Sequence, residues 1–103
     1  MADVQFGLMM RGQFPQEDDI QQRFRELMEQ ARLVDKLGYA SITTGMHYSS
    51  PPWQDFQQLP FLARVMAEAP NCRLNFGIIL LSLHKPLDIA ENLATMDVMS
   101  GGK

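Results

Sequence analysis

The chain has 103 residues, 12 of them acidic and nine basic, with 46% hydrophobic residues and a formal net charge of −3, the composition of one small globular domain and not of a disordered tail or a low-complexity repeat. Its longest apolar stretch, residues 76–83, is far short of the roughly 20 residues a membrane-spanning helix needs, and the first ten residues lack the basic start and long apolar core of a secretory signal. The basic residues are scattered from Arg11 to Lys103 without a run, which excludes the usual nucleic-acid footprint, and the single cysteine, Cys72, excludes an internal disulfide and points to a reducing, cytoplasmic setting.

The first apolar run, residues 4–10, reads as a strand buried on both faces. Residues 11–19 contain Gly12 and Pro15 and read as a loop. Asp18 or Asp19 then caps a helix, with Gln22 in a box-like position. Ile20, Phe24, Leu27, Met28, Ala31 and Val34 form the apolar stripe of that amphipathic helix, and Gly38 fits a left-handed stop. A second strand is expected over residues 39–48, where Ile42, Thr43 and Thr44 follow one another. Residues 49–53, with Pro51-Pro52, read as a loop. Pro60 stands where a first helical residue belongs, Leu59, Leu62, Ala63, Met66 and Ala67 form a second helical stripe, and Pro70 ends that helix. The third run, residues 74–83, is the most apolar and reads as a central strand. Pro86 opens a third helix with Ile89, Ala90, Leu93 and Met96 on one face, and Ser100-Gly101-Gly102 closes it.

This regular alternation implies an α/β fold of three parallel βα units joined by right-handed crossovers, with no domain boundary inside residues 1–103. Three units are too few for a closed (β/α) barrel, which takes about 250 residues. Geometry therefore points to part of a larger architecture.

Ligands of parallel α/β folds bind at the carboxyl ends of the strands. Three segments are expected there: residues 9–16, 45–53 and 82–85, which include both histidines, His47 and His84. Histidine suits proton transfer near neutral pH. His47 in Gly45-Met46-His47-Tyr48 reads equally as a general acid/base and as a side chain that ties down the following loop. His84, before Lys85, reads first as a loop residue at a helix entrance and second as a contact for a polar or anionic ligand. Tyr48, Trp53 and Phe56 suit an aromatic wall or the packing of a loop onto its own domain. Met9, Met10 and Met46 suit an adaptable apolar pocket, whereas Met28, Met66 and Met96 fit the helical stripes as core. Asp97 falls on or beside the apolar face of the third helix and is expected to need a hydrogen-bonding partner. Cys72 precedes the third strand, at the opposite end, and is expected to be inert; Gly77 inside an apolar run allows close backbone approach.

The segment His84-Lys85-Pro86, then Ala90-Glu91, Ala94-Thr95-Met96-Asp97 and Ser100-Gly101-Gly102-Lys103, resembles the bacterial luciferase-like monooxygenase family. Phe6-Gly7-Leu8, Leu37-Gly38-Tyr39, Gly45-Met46-His47-Tyr48 and the stretch from Gly77 to Leu83 resemble further motifs of that family in the same order. The resemblance spans residues 4–103. It implies the N-terminal part of a (β/α)8 TIM barrel that binds reduced FMN or a deazaflavin and acts on a small organic substrate. By this resemblance His47 matches the active-site histidine. Met46, Tyr48, Gly77 and Ile78 match cofactor-binding positions, the last two where a non-proline cis peptide often supports the flavin ring.

Two departures stand out: Met46 replaces a glutamate and Tyr48 a second histidine, so charge-based roles at both positions are lost. The family's flavin-phosphate contacts lie mostly in later strands. Arg11, near the end of the first strand, suits a contact to substrate or to an anionic group. No metal, membrane or nucleic-acid partner is expected. The alternative reading is a truncated, non-catalytic chain or subunit that completes its sheet with a partner, either the remainder of the barrel or a second copy.

Overall fold

The computed structural model describes residues 3–103; Met1 and Ala2, part of the span expected as one domain, lie outside the described residues. Strands β1 (Gly7–Met10), β3 (Ser41–Thr44) and β5 (Arg73–Phe76) form a parallel sheet in that order. The register pairs Gly7 with Ser41 and Ser41 with Arg73. Helices α1 (Ile20–Lys36), α2 (Gln58–Glu68) and α3 (Pro86–Ser100) follow the three strands in turn. The expected α/β alternation is therefore present.

The two-residue period of the strands sorts one face from the other. Leu8, Met10, Ile42, Leu74 and Phe76 turn toward α1 and α2 and meet Leu27, Met28, Ala31, Val34, Leu62 and Val65 in one core. The other face carries Met9, Ser41, Thr43 and Asn75 and has no helix over it. This corrects the expectation that the first strand is buried on both faces: Gly7 and Met9 are exposed there.

The third run is also corrected. It ends as a strand at Phe76, and residues Leu81–Leu83 form a 3-10 turn. Its neighbour β3 stops at Thr44, which pairs with Phe76 and accepts from the Gly77 N–H, so no ladder partner remains beyond Gly77. Within this sheet β5 lies at an edge and β3 in the middle. Likewise the second strand keeps only four residues of the expected ten.

Two segments expected as loops pair with each other instead. Strands β2 (Gln13–Pro15) and β4 (Trp53–Asp55) form an antiparallel ribbon with Gln13 opposite Asp55. The Gln54 side-chain amide donates to the carbonyls of Pro15 at 2.9 Å, Gln16 at 3.2 Å and Asp18 at 3.0 Å, which fastens the ribbon to the chain entering α1.

The helix ends follow local chemistry. The Asp19 carboxylate accepts from the main-chain N–H groups of Gln21 and Gln22, two donors that the first turn leaves unpaired. Gln22 does not reach back to complete a box; its amide donates to Glu26. Gly38 and Gly101 sit at φ of +80° and +69°, the left-handed geometry that terminates α1 and α3. Pro86 is the first residue of α3, whereas Pro60 is the third of α2, not the first.

At the amino ends of the strands, the Cys72 thiol is buried and donates to the Tyr39 carbonyl at 3.3 Å. Burial, with Asp35 nearby, pushes that thiol up, in line with an inert role. Asp97 differs from expectation: it is exposed, beside an open cavity lined by Met66, Leu74 and Phe76. Its main-chain carbonyl, not a buried carboxylate, accepts from Gly102 at 2.8 Å.

Candidate functional site

At the carboxyl ends of the strands the chain encloses a cavity of about 620 Å³, within the usual range for small-molecule sites. β1 delivers Met9 and Arg11 to it, β3 delivers Gly45, Met46 and His47, and β5 delivers Gly77 and Ile78. The ribbon closes one side with Gln13 and Asp55. The lining is therefore mostly apolar, with Arg11, His47 and Asp55 as its charged or titratable members.

Close backbone packing shapes the floor. The N–H of Gly77 donates to the Thr44 carbonyl at 2.8 Å, which carries the β3–β5 pairing just past Phe76. A Cβ at Gly45 would stand 2.8 Å from the Gly77 carbonyl oxygen, and one at Gly77 would stand 2.7 Å from Thr43 Cγ2. Neither position has room for a side chain. The Gly77–Ile78 peptide bond is cis. Behind the floor, the buried Gln58 amide of α2 donates to the Thr44 carbonyl at 2.8 Å, which satisfies that strand end from the helix side.

His47 is largely exposed, with its side chain 69% accessible. Its main-chain N–H donates to Asp55 Oδ2 at 2.7 Å, and its imidazole Nδ1 lies 3.4 Å from the same oxygen. The Asp55 side chain is only 5% accessible, and its other oxygen is buried without a hydrogen-bond partner. Asp55 carries no signal in the sequence. It stands eight positions after His47 with two prolines between them, and no periodic element links the two.

The structure brings together Met46, His47, Gly77 and Ile78, but not Tyr48, which is exposed and outside the cavity lining. Arg11 lines the cavity. The aromatic residues do not form a common wall. Phe56 packs in the interior, stacked on Phe61 at 5.3 Å between centroids and edge-on to Phe14 and Phe24, whereas Trp53 is exposed. His84 lines a smaller, separate cavity with Met46, Gln58 and Ile89, at the entrance to α3.

The chain is similar to known proteins in sequence and in fold. The chain is 24% identical over its whole length to 4-hydroxyprotoasukamycin monooxygenase of Streptomyces nodosus subsp. asukaensis, and covers 28% of that protein. It is 24% identical over 100 residues to limonene 1,2-monooxygenase of Rhodococcus erythropolis, covering 26% of it. Among solved structures, 95% of the chain superposes on apo-MsnO8 with a TM-score of 0.82 and 26% identity, covering 30% of that chain. Monooxygenase RslO1 from Streptomyces bottropensis gives a TM-score of 0.79 at 31% identity, over 96% of this chain and 31% of that one. The chain thus spans between a quarter and a third of the length of these relatives. The family model for luciferase-like monooxygenases matches residues 4–103, and the chain belongs to that family.

Proposed function

We propose that this chain forms one wall of a flavin pocket in a luciferase-like oxidoreductase, as the first three βα units of a (β/α)8 barrel. The observation that carries the reading is the single cavity that gathers Met46, His47, Gly77 and Ile78 at the carboxyl ends of the parallel strands. The residues fit a flat ring with a polar edge. Met9, Ile78 and Leu80 offer apolar surface, and the main chain at Gly45 and Gly77 leaves no side chain in the way. Arg11 is the one guanidinium in the lining and suits an anionic group on cofactor or substrate.

When bound, reduced FMN or a deazaflavin supplies the redox chemistry on a small organic substrate. The protein's part is to seat the ring on Ile78, to exclude water and to hold a proton acceptor, His47, at the pocket rim. Titrating the chain with FMN and with a deazaflavin, followed by cofactor fluorescence, tests the seat. His47→Ala is expected to lower turnover of the loaded protein by about 10²–10⁴-fold, the usual contribution of a positioned acid or base. Unchanged turnover in that variant removes the role given to His47.

One observation favours a second reading, a non-catalytic subunit that completes its sheet with a partner. Strands β1 and β5 each have a neighbour on one side only. A folded chain that binds no flavin yet pairs stably with another chain supports this reading over the first.

A further inference from the structure

We propose that Asp55 is the positioning residue for His47: its carboxylate holds the imidazole in the tautomer that carries the proton on Nδ1 and leaves Nε2 as the acceptor. The inference rests on the reading of His47 as the working histidine. Its basis is a contrast in burial and partners. Asp55 is almost wholly buried at the rim of the cavity, whereas the His47 ring is mostly exposed. A carboxylate taken out of water is costly unless it is paired. Among the described residues Asp55 pairs with His47 and with no lysine or arginine. One oxygen accepts the His47 main-chain N–H at 2.7 Å and lies 3.4 Å from Nδ1, and the second oxygen is buried without a partner.

The ribbon keeps this carboxylate in place. Asp55 is the last residue of β4, opposite Gln13, and the next residue, Phe56, donates its N–H to the Gly12 carbonyl. The Nδ1 contact is longer than an ordinary N–H···O bond of about 2.7–3.2 Å. Contacts of this kind commonly tighten when a ligand closes the site. A carboxylate on Nδ1 fixes which ring nitrogen is protonated and makes the other a better proton acceptor. The remaining charged group lining the cavity is Arg11, from the β1 side.

The test reads the tautomer directly. Long-range ¹H–¹⁵N correlation spectra of the imidazoles, recorded where the rings are neutral, report which nitrogen bears the proton. The chain has two histidines, so His84 serves as an internal reference. The wild-type spectrum is expected to show His47 with Nδ1 protonated. Asp55→Asn is expected to shift His47 toward the Nε2-protonated form while His84 stays unchanged. Nε2-protonated His47 in the wild type overturns the proposal, as does an unchanged His47 pattern in a natively folded Asp55→Asn chain. If that variant does not fold, the wild-type spectrum decides alone. Failure of the catalytic reading shows separately, as unaltered turnover in His47→Ala, because the tautomer measurement needs no flavin.

Discussion

Single side chains tie the helices together, and their titration has a direction. The Glu68 carboxylate on α2 meets the guanidiniums of Arg32 from α1 and Arg64 from its own helix. The hydrogen bond from Arg32 is the main cause that holds Glu68 below the ordinary 4.5. Burial pushes Asp35 up, but hydrogen bonds from Asn71, at 2.8 and 3.0 Å, together with those from Cys72, outweigh it and leave Asp35 below the ordinary 3.8. A carboxylate depressed in the folded state is protonated first in the unfolded chain. Its stabilisation is therefore complete above the ordinary value and is lost as pH falls through the folded one. The thermal midpoint is expected to stay level from neutral pH down to about 5 and to fall below 4.5, the ordinary value of Glu68. Glu68→Gln is expected to flatten the upper part of that fall. An acid limb that Glu68→Gln leaves unchanged would assign the loss to other carboxylates. Asp55 shows the limit of sequence reading at this scale. His47 stands out as one of two histidines, but its carboxylate partner is one of 12 acids and is brought near only by a ribbon between two loops.

Among the elements, α1 was the most legible because several independent signals agree: an apolar stripe over four turns, a capping aspartate and a stop glycine. The cap is testable by itself. Asp19→Ala is expected to destabilise the chain by about 0.5–2 kcal/mol, read as a lower denaturant midpoint at unchanged slope, and Asp19→Asn to restore most of it. Equal loss in both variants would mean that charge at the helix end matters more than the hydrogen bonds. The third apolar run was legible as a strand but not in its length. Apolar content marks which residues avoid water, whereas a strand lasts only as long as its neighbour offers main-chain groups. After Phe76 the neighbour has ended, and Ile78, Leu80 and Leu81 stand exposed. Strands β2 and β4 were hidden because three residues, with a proline inside β2 and two before β4, are too short to show any period.

The whole molecule has one covered sheet face, one bare face and two open edges. Met9 is exposed on the bare face, Phe6 just before the amino end of β1, and Ile78, Leu80 and Leu81 around the carboxyl ends of the strands. A parallel sheet in this state tends to pair with more chain. In light scattering the chain is expected to gain apparent mass with concentration. Phe6→Lys, which puts a charge beside the β1 edge, is expected to weaken that gain. A monomer at every concentration that also binds no flavin would count against both readings of function. The ribbon has a different consequence, for how the family can vary. Loops above a barrel are usually free to lengthen one at a time. Here the first and second loops are laced together through Gln13 and Asp55, and through the Gln54 amide on three carbonyls. An insertion in either loop shifts its register against the other, so the two lengths should change in step among chains that keep the ribbon.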